Sequence, residues 1–184
     1  MNIFQKAMTQ LLDFNDVLQH AESCRACANL LNTERIPAKV DEFIAAQNDG
    51  ASFNKLQKLQ IEIKDLNNLA SDLISNAVRL DSAAIANALL TTDMQEASSV
   101  LQCSTEKSLL AVKYIKEVRD MITILEKFIE VGIAIATSLT AIPVSAASIL
   151  TIIQSVDNLV DAQAELTDAA QEDEVRRAFA SKCA

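Results

Sequence analysis

From Leu56 to Ala84 the apolar residues of this chain recur at alternating intervals of three and four. Leu56, Leu59, Ile63, Leu66, Ala70, Leu73, Ala77, Leu80 and Ala84 follow one another without a miss. A strand repeats every second residue, so a pattern with a mean period of 3.5 demands a helix carrying one continuous apolar seam. The small alanines toward its C-terminal end let a neighbouring helix approach closely. Nothing competes with that reading elsewhere. Two glycines and two prolines stand among 184 residues, where average usage would give roughly 13 and 9. Sheets need turns and turns need these residues, so a β-sandwich, a barrel or a glycine-loop nucleotide fold is excluded.

The remaining segments fit the same plan. Phe4, Leu11, Leu12, Phe14, Val17 and Leu18 are spaced for an amphipathic helix over about 3–31, which Asn32 and Thr33 interrupt. Pro37 stands where a second, short helix begins, because its missing N–H costs nothing in a first turn. Asn48-Asp49-Gly50 is the clearest turn signal in the chain. Ser52 is placed to cap the seam helix, and Thr91-Thr92-Asp93, with Gln95 and Glu96, offers caps for a restart or kink. Ser104 and Thr105 are placed to cap the following helix, whose seam runs Ile115, Val118, Ile122, Leu125, Ile129, Gly132, Ala136 and Leu139, so one helix over 105–141 is expected. Ile142-Pro143 breaks or kinks it. A last helix carries Ile149, Ile152, Val156, Leu159 and Leu166, with an acidic end at Asp168, Glu172, Asp173 and Glu174. The expected fold is all-α: an elongated antiparallel helical bundle of about five helices, one domain over 1–184, with an apolar helix-turn-helix corner. Packing of the seams within one bundle is the simpler expectation, and self-association through them the other.

That corner is 131–156, VGIAIATSLTAIPVSAASILTIIQSV, 26 residues without a charge. As one straight helix it would span about 39 Å, enough for a hydrocarbon core of about 30 Å. Three readings follow. A constitutive membrane span is poorly served by seven Ser/Thr residues, a Gln and a central Pro, and its flanks, Lys127 and Glu130 against Asp157 and Asp161, lack an orienting Lys/Arg bias. A buried corner bent at Pro143 is the ordinary fate of a helix that is apolar all round. A conditional membrane hairpin, buried until released, fits the small residues Gly132, Ala134, Ala136, Ala141, Ala146 and Ala147. Each arm, at about 12 residues and 18 Å, is too short to cross alone.

Long seamed helices flanking an apolar, Ala/Ile/Ser/Thr-rich hairpin resemble the α-helical pore-forming toxins of the cytolysin A and tripartite haemolysin group. The resemblance covers roughly 52–170 and is architectural, with no residue motif behind it. It implies membrane permeabilisation by oligomerised helices without cofactor or catalysis. Members of that group are usually much longer, so a related chain of this length would be a shortened component or accessory partner. The residues expected to touch membrane are Val131, Ile133, Ile135, Leu139, Ile142, Pro143, Val144, Ile149, Leu150 and Ile153. The alternative is a cytoplasmic helical adaptor, chaperone or immunity-like interaction module in which 131–156 is permanent core.

Charge and catalytic inventory narrow the rest. Asp and Glu number 25 against 16 Lys and Arg, a net charge of −9, and no basic cluster supplies the footprint nucleic acid requires. The start, MNIFQKAMTQLLDFND, does not read as a Sec signal peptide. Four cysteines without a small secreted scaffold fit a reducing cytosol, so the chain is expected to be cytoplasmic as synthesised, with any export by a route lacking a Sec signal. No G-x-S-x-G, Walker A or G-x-G-x-x-G pattern occurs, and the acidic runs Asp41-Glu42 and Glu172-Asp173-Glu174 read as solvated faces. An enzyme is not expected, nor a cofactor or small-molecule substrate; the expected partner is a protein or a second copy. One constellation is chemically distinctive. His20, Cys24 and Cys27 fall at i, i+4 and i+7 on one helix face, and Cys103 or Cys183 could complete a tetrahedral zinc set. Structural zinc sites usually hold close cysteines in a knuckle rather than mid-helix. Buried free thiols are therefore the plainer reading, with no metal expected.

Overall fold

The computed structural model describes the backbone of residues 14–87, 96–140 and 146–169, and side chains within 17–84, 105–140 and 150–165 together with Cys103. Every element among the described residues is helical: α1 Phe14–Leu30, a π-helical turn Leu31–Arg35, α2 Ile36–Asn48, α3 Phe53–Asn87, α4 Glu96–Tyr114, α5 Val118–Thr140 and α6 Ala146–Ala169. The all-α bundle read from the sequence is the fold. At about 1.5 Å per residue, α3 alone is about 52 Å long, which makes the bundle elongated.

The expected break at Asn32-Thr33 is absent. The residues on both sides of the π turn keep right-handed helical geometry, and the Ile36 N–H donates to the Leu31 carbonyl, five residues back. Pro37 has no N–H to give to the residue four before it, so the ladder widens by one residue here instead of ending. With the π turn included, α1 and α2 form one continuous rod, and the described chain amounts to five rods. That rod stops at Gly50, whose φ of 70° closes a Schellman cap: Gly50 N–H donates to Gln47 O at 3.2 Å and Ala51 N–H to Ala46 O at 2.9 Å. The Ser52 carbonyl then accepts from Leu56 N–H at 3.1 Å, opening α3.

α3 returns antiparallel to the α1–α2 rod, tied by the ion pairs Arg25–Asp81 and Lys39–Glu62, the latter at 3.0 Å. The first seam does what its spacing requires. Leu66, Leu73, Ala77 and Leu80 are wholly buried, with Leu59, Ala70 and Ala84 nearly so. Fully burying a leucine contributes about 1.5–3 kcal/mol, so this seam is a principal source of stability. α5 lies beside α3 and runs parallel to it, and α6 packs along α5. The residues joining α5 to α6, Ile142, Pro143 and Val144 among them, lie outside the described residues. One core of buried side chains joins all five rods.

Two expectations about 105–141 are corrected. α4 begins at Glu96, so Ser104 and Thr105 lie inside a helix instead of capping one, and the helix stops at Tyr114. Arg35, presented by the π turn, donates its guanidinium to the carbonyls of Ile115 and Lys116. A terminal carbonyl that finds a side-chain donor need not continue the ladder. Of the second seam, Ile115, Val118, Leu125, Gly132 and Ala136 are buried as expected, whereas Ile122, Ile129 and Leu139 are only half-buried, and Met121, Phe128 and Ile135 join the buried face.

Candidate functional site

The chemically distinctive face of α1 is inside the protein. His20, Cys24 and Cys27 are all fully buried. The His20 ring lies 4.2 Å from the Phe128 ring, centroid to centroid, and its Nε2 is 3.2 Å from the Phe128 carbonyl, to which it donates. Burial, with only that hydrogen bond working against it, lowers the His20 pKa to about 4, so the ring is neutral near pH 7. Its Nδ1 has no hydrogen-bond partner among the described residues. One helical turn on, Asn76 of α3 donates from Nδ2 to Cys24 Sγ at 3.6 Å. Asn76 is itself buried and packs on Gly132 of α5: a Cβ at 132 would overlap its amide, with Cγ at 2.9 Å. Gly132 therefore belongs to the contact between α3 and α5.

This arrangement does not assemble a zinc ligand set. The metal ligand is the thiolate, and burial pushes Cys24 up to about 12 and Cys27 higher still. Of the two candidate fourth ligands, Cys183 lies outside the described residues and Cys103 is disulfide-bonded and offers no thiolate, at odds with a fully reduced set of cysteines. Among the described residues no group of three or more His, Cys, Asp or Glu side chains is placed to hold a metal ion.

The apolar stretch divides between interior and surface. Val131 and Ile135 are fully buried, Leu139 and Ile153 are half-buried, and Ile133 and Leu150 are 38% and 43% exposed. The side chain of Ile149, like Ile142, Pro143 and Val144, lies outside the described residues. No described helix is long and apolar enough to cross a membrane.

The feature that sequence reasoning misses is a groove between α3 and α5. Two open cavities of about 740 and 580 Å³ share Asp65, Ile122 and Glu126, so they form one channel along the parallel pair. Ile122, Ile129 and Leu69 form an apolar floor, continued by Ile133 at one end and Val118 at the other. Asp65 and Asp72 line it from α3, and Glu126 and Glu130 from α5. The sequence does carry a signal for it, since Ile122, Ile129 and Ile133 make an apolar stripe. Periodicity assigns Ile122 and Ile129 to the seam instead, because either phase of a three-four repeat fits a helix. Asp65, Asp72 and Glu126 make no ion pair among the described residues, while Glu130 pairs with Lys127 at 2.9 Å. Neither a family model, nor a curated protein, nor a solved structure matches the chain.

Proposed function

We propose that this chain is a non-enzymatic helical interaction module, in which 131–156 stays packed in the bundle and a partner protein is met on the outside, at the groove between α3 and α5. The observation that carries this reading is the burial of α5. Phe128, Val131 and Ile135 are wholly enclosed, and Gly132 is in close contact with a buried Asn76. Releasing such a helix into lipid would open the centre of the bundle and leave Asn76 and His20 without the surroundings that accommodate them. The polar groups inside hold helices together, with no paired acid, base and nucleophile among those described.

A second reading keeps the resemblance to the pore-forming toxins: the hairpin as a conditional membrane element. Ile133 and Leu150, apolar and exposed, are what favour it.

Two substitutions close together on one helix separate the readings. Ile135→Asp places an unpaired charge in the core and is expected to cost about 3–5 kcal/mol, enough to abolish cooperative unfolding. Ile133→Asp, on the exposed side, is expected to leave the far-UV CD spectrum unchanged and shift Tm by only a few degrees. Dye-loaded vesicles incubated with the wild-type chain at neutral and mildly acidic pH should stay intact. Leakage that Ile133→Asp abolishes would replace the first reading by the second.

A further inference from the structure

We infer that the groove between α3 and α5 receives one amphipathic helix of a partner protein, whose apolar stripe is flanked by lysine and arginine. The inference rests on the interaction-module reading and names the chemistry of the partner.

The shape selects a helix. α5 lines the groove from Val118 to Ile133, about 23 Å at the helical rise, the length of a four-turn helix. The two walls are themselves parallel helices, and a third helix laid between them completes a three-helix layer by ordinary ridge-and-groove packing. Its apolar residues at i, i+3, i+4 and i+7 would meet Ile122, Ile129 and Leu69, the usual way in which a helix occupies an apolar groove.

The charge selects the flanks. Asp65 and Asp72 are seven residues apart, about 10.5 Å along α3, and Glu126 and Glu130 are four apart, about 6 Å along α5. An occupant therefore has carboxylates on both sides over two turns. Asp72 and Glu126 are exposed and unpaired among the described residues, so they are open to cations from outside. The basic side chains Arg79, Lys58 and Arg119 stand toward the two ends, which concentrates acid in the middle. A second copy of this chain brings a net charge of −9 to the same surface, which opposes self-docking, whereas a basic partner is steered toward it.

The test uses the full chain and a synthetic 16-residue helical peptide, with leucines at i, i+3, i+4 and i+7 and lysines on both flanks. Affinity is measured by fluorescence anisotropy, and a second peptide carries glutamate at every lysine position. The chain variant is the double substitution Asp72→Lys with Glu126→Lys. Both positions are exposed, and CD and Tm verify that the fold is retained. The lysine peptide should bind saturably, lose at least tenfold in affinity to the double variant, and weaken as salt rises from 50 to 300 mM. The glutamate peptide should not bind the wild-type chain. Equal affinity for wild type and double variant overturns the inference, as does binding of the glutamate peptide or a concentration-dependent dimer that the double variant abolishes. A protein partner whose capture is indifferent to the double variant overturns the groove but leaves the interaction module standing. Vesicle leakage by the wild-type chain overturns the module itself.

Discussion

Gly132 shows how little room the centre of this bundle leaves. It is a helix-interior glycine, and a residue of that kind ordinarily costs helix stability of roughly 0.5–1 kcal/mol relative to alanine. Here the space of the missing Cβ is occupied by the Asn76 amide, so the usual sign is reversed. Gly132→Ala is expected to destabilise the fold by about 1–3 kcal/mol, the cost of overpacking a dense interior. Denaturant titration of G132A, N76A and the double variant checks this, and the double should be less destabilised than the sum of the singles. His20 gives the second residue-scale expectation. Its folded pKa lies at about 4 against 6.5 unfolded, through burial. The unfolded chain therefore takes up a proton first as pH falls. Stability should be unaffected by this group above pH 6.5, then decline between 6.5 and about 4, by about 3 kcal/mol in all. His20→Gln should flatten that part of the stability profile, which urea melts at stepped pH would reveal.

Elements begin and end here for reasons of two kinds. The cap at Asn48-Asp49-Gly50 is local: a residue that tolerates positive φ, followed by an N-cap position, closes one helix and opens the next. Its residue types alone announce it. The break at Ile115-Lys116-Glu117 is tertiary. Its carbonyls are taken by Arg35, 80 residues earlier for Ile115, and nothing between Glu96 and Thr140 announces that donor. Arg35→Ala should therefore disturb a place remote in sequence. It should cost about 1–3 kcal/mol, since a part-buried carbonyl loses a charged donor, and hydrogen exchange should quicken at 115–118 while the interior of α3 stays protected. The π turn that presents Arg35 falls between the two. The sequence marks the spot with Pro37, but whether a proline ends a helix or merely widens one turn depends on what packs against it.

Across the whole molecule, the difference between Ile133 and Ile135 is the most instructive. Both belong to a charge-free run that composition treats as uniform, yet one lines the groove and the other is fully buried. Their aspartate variants are expected to behave oppositely for that reason alone. The same division separates the two seams. That of α3 is legible in the sequence, because nine apolar positions in one phase admit a single burial face. That of α5 is legible only in part: Val118, Leu125, Gly132 and Ala136 are buried as the repeat requires, but Met121, Phe128 and Ile135 share the interior while Ile122 and Ile129 face the groove, because two adjacent apolar stripes fit one helix. The cysteine face on α1 is visible in the sequence, but its role is not: burial, which no spacing reports, keeps Cys24 and Cys27 protonated and turns potential ligands into core. By itself the chain determined that it is helical, which face of α3 is buried and where the first hairpin turns, since periodicity and backbone preference act locally. The tertiary structure decided which faces of those rods are shared. Burial is a property of neighbours, and so the groove with its acidic walls exists only once α3 and α5 lie side by side.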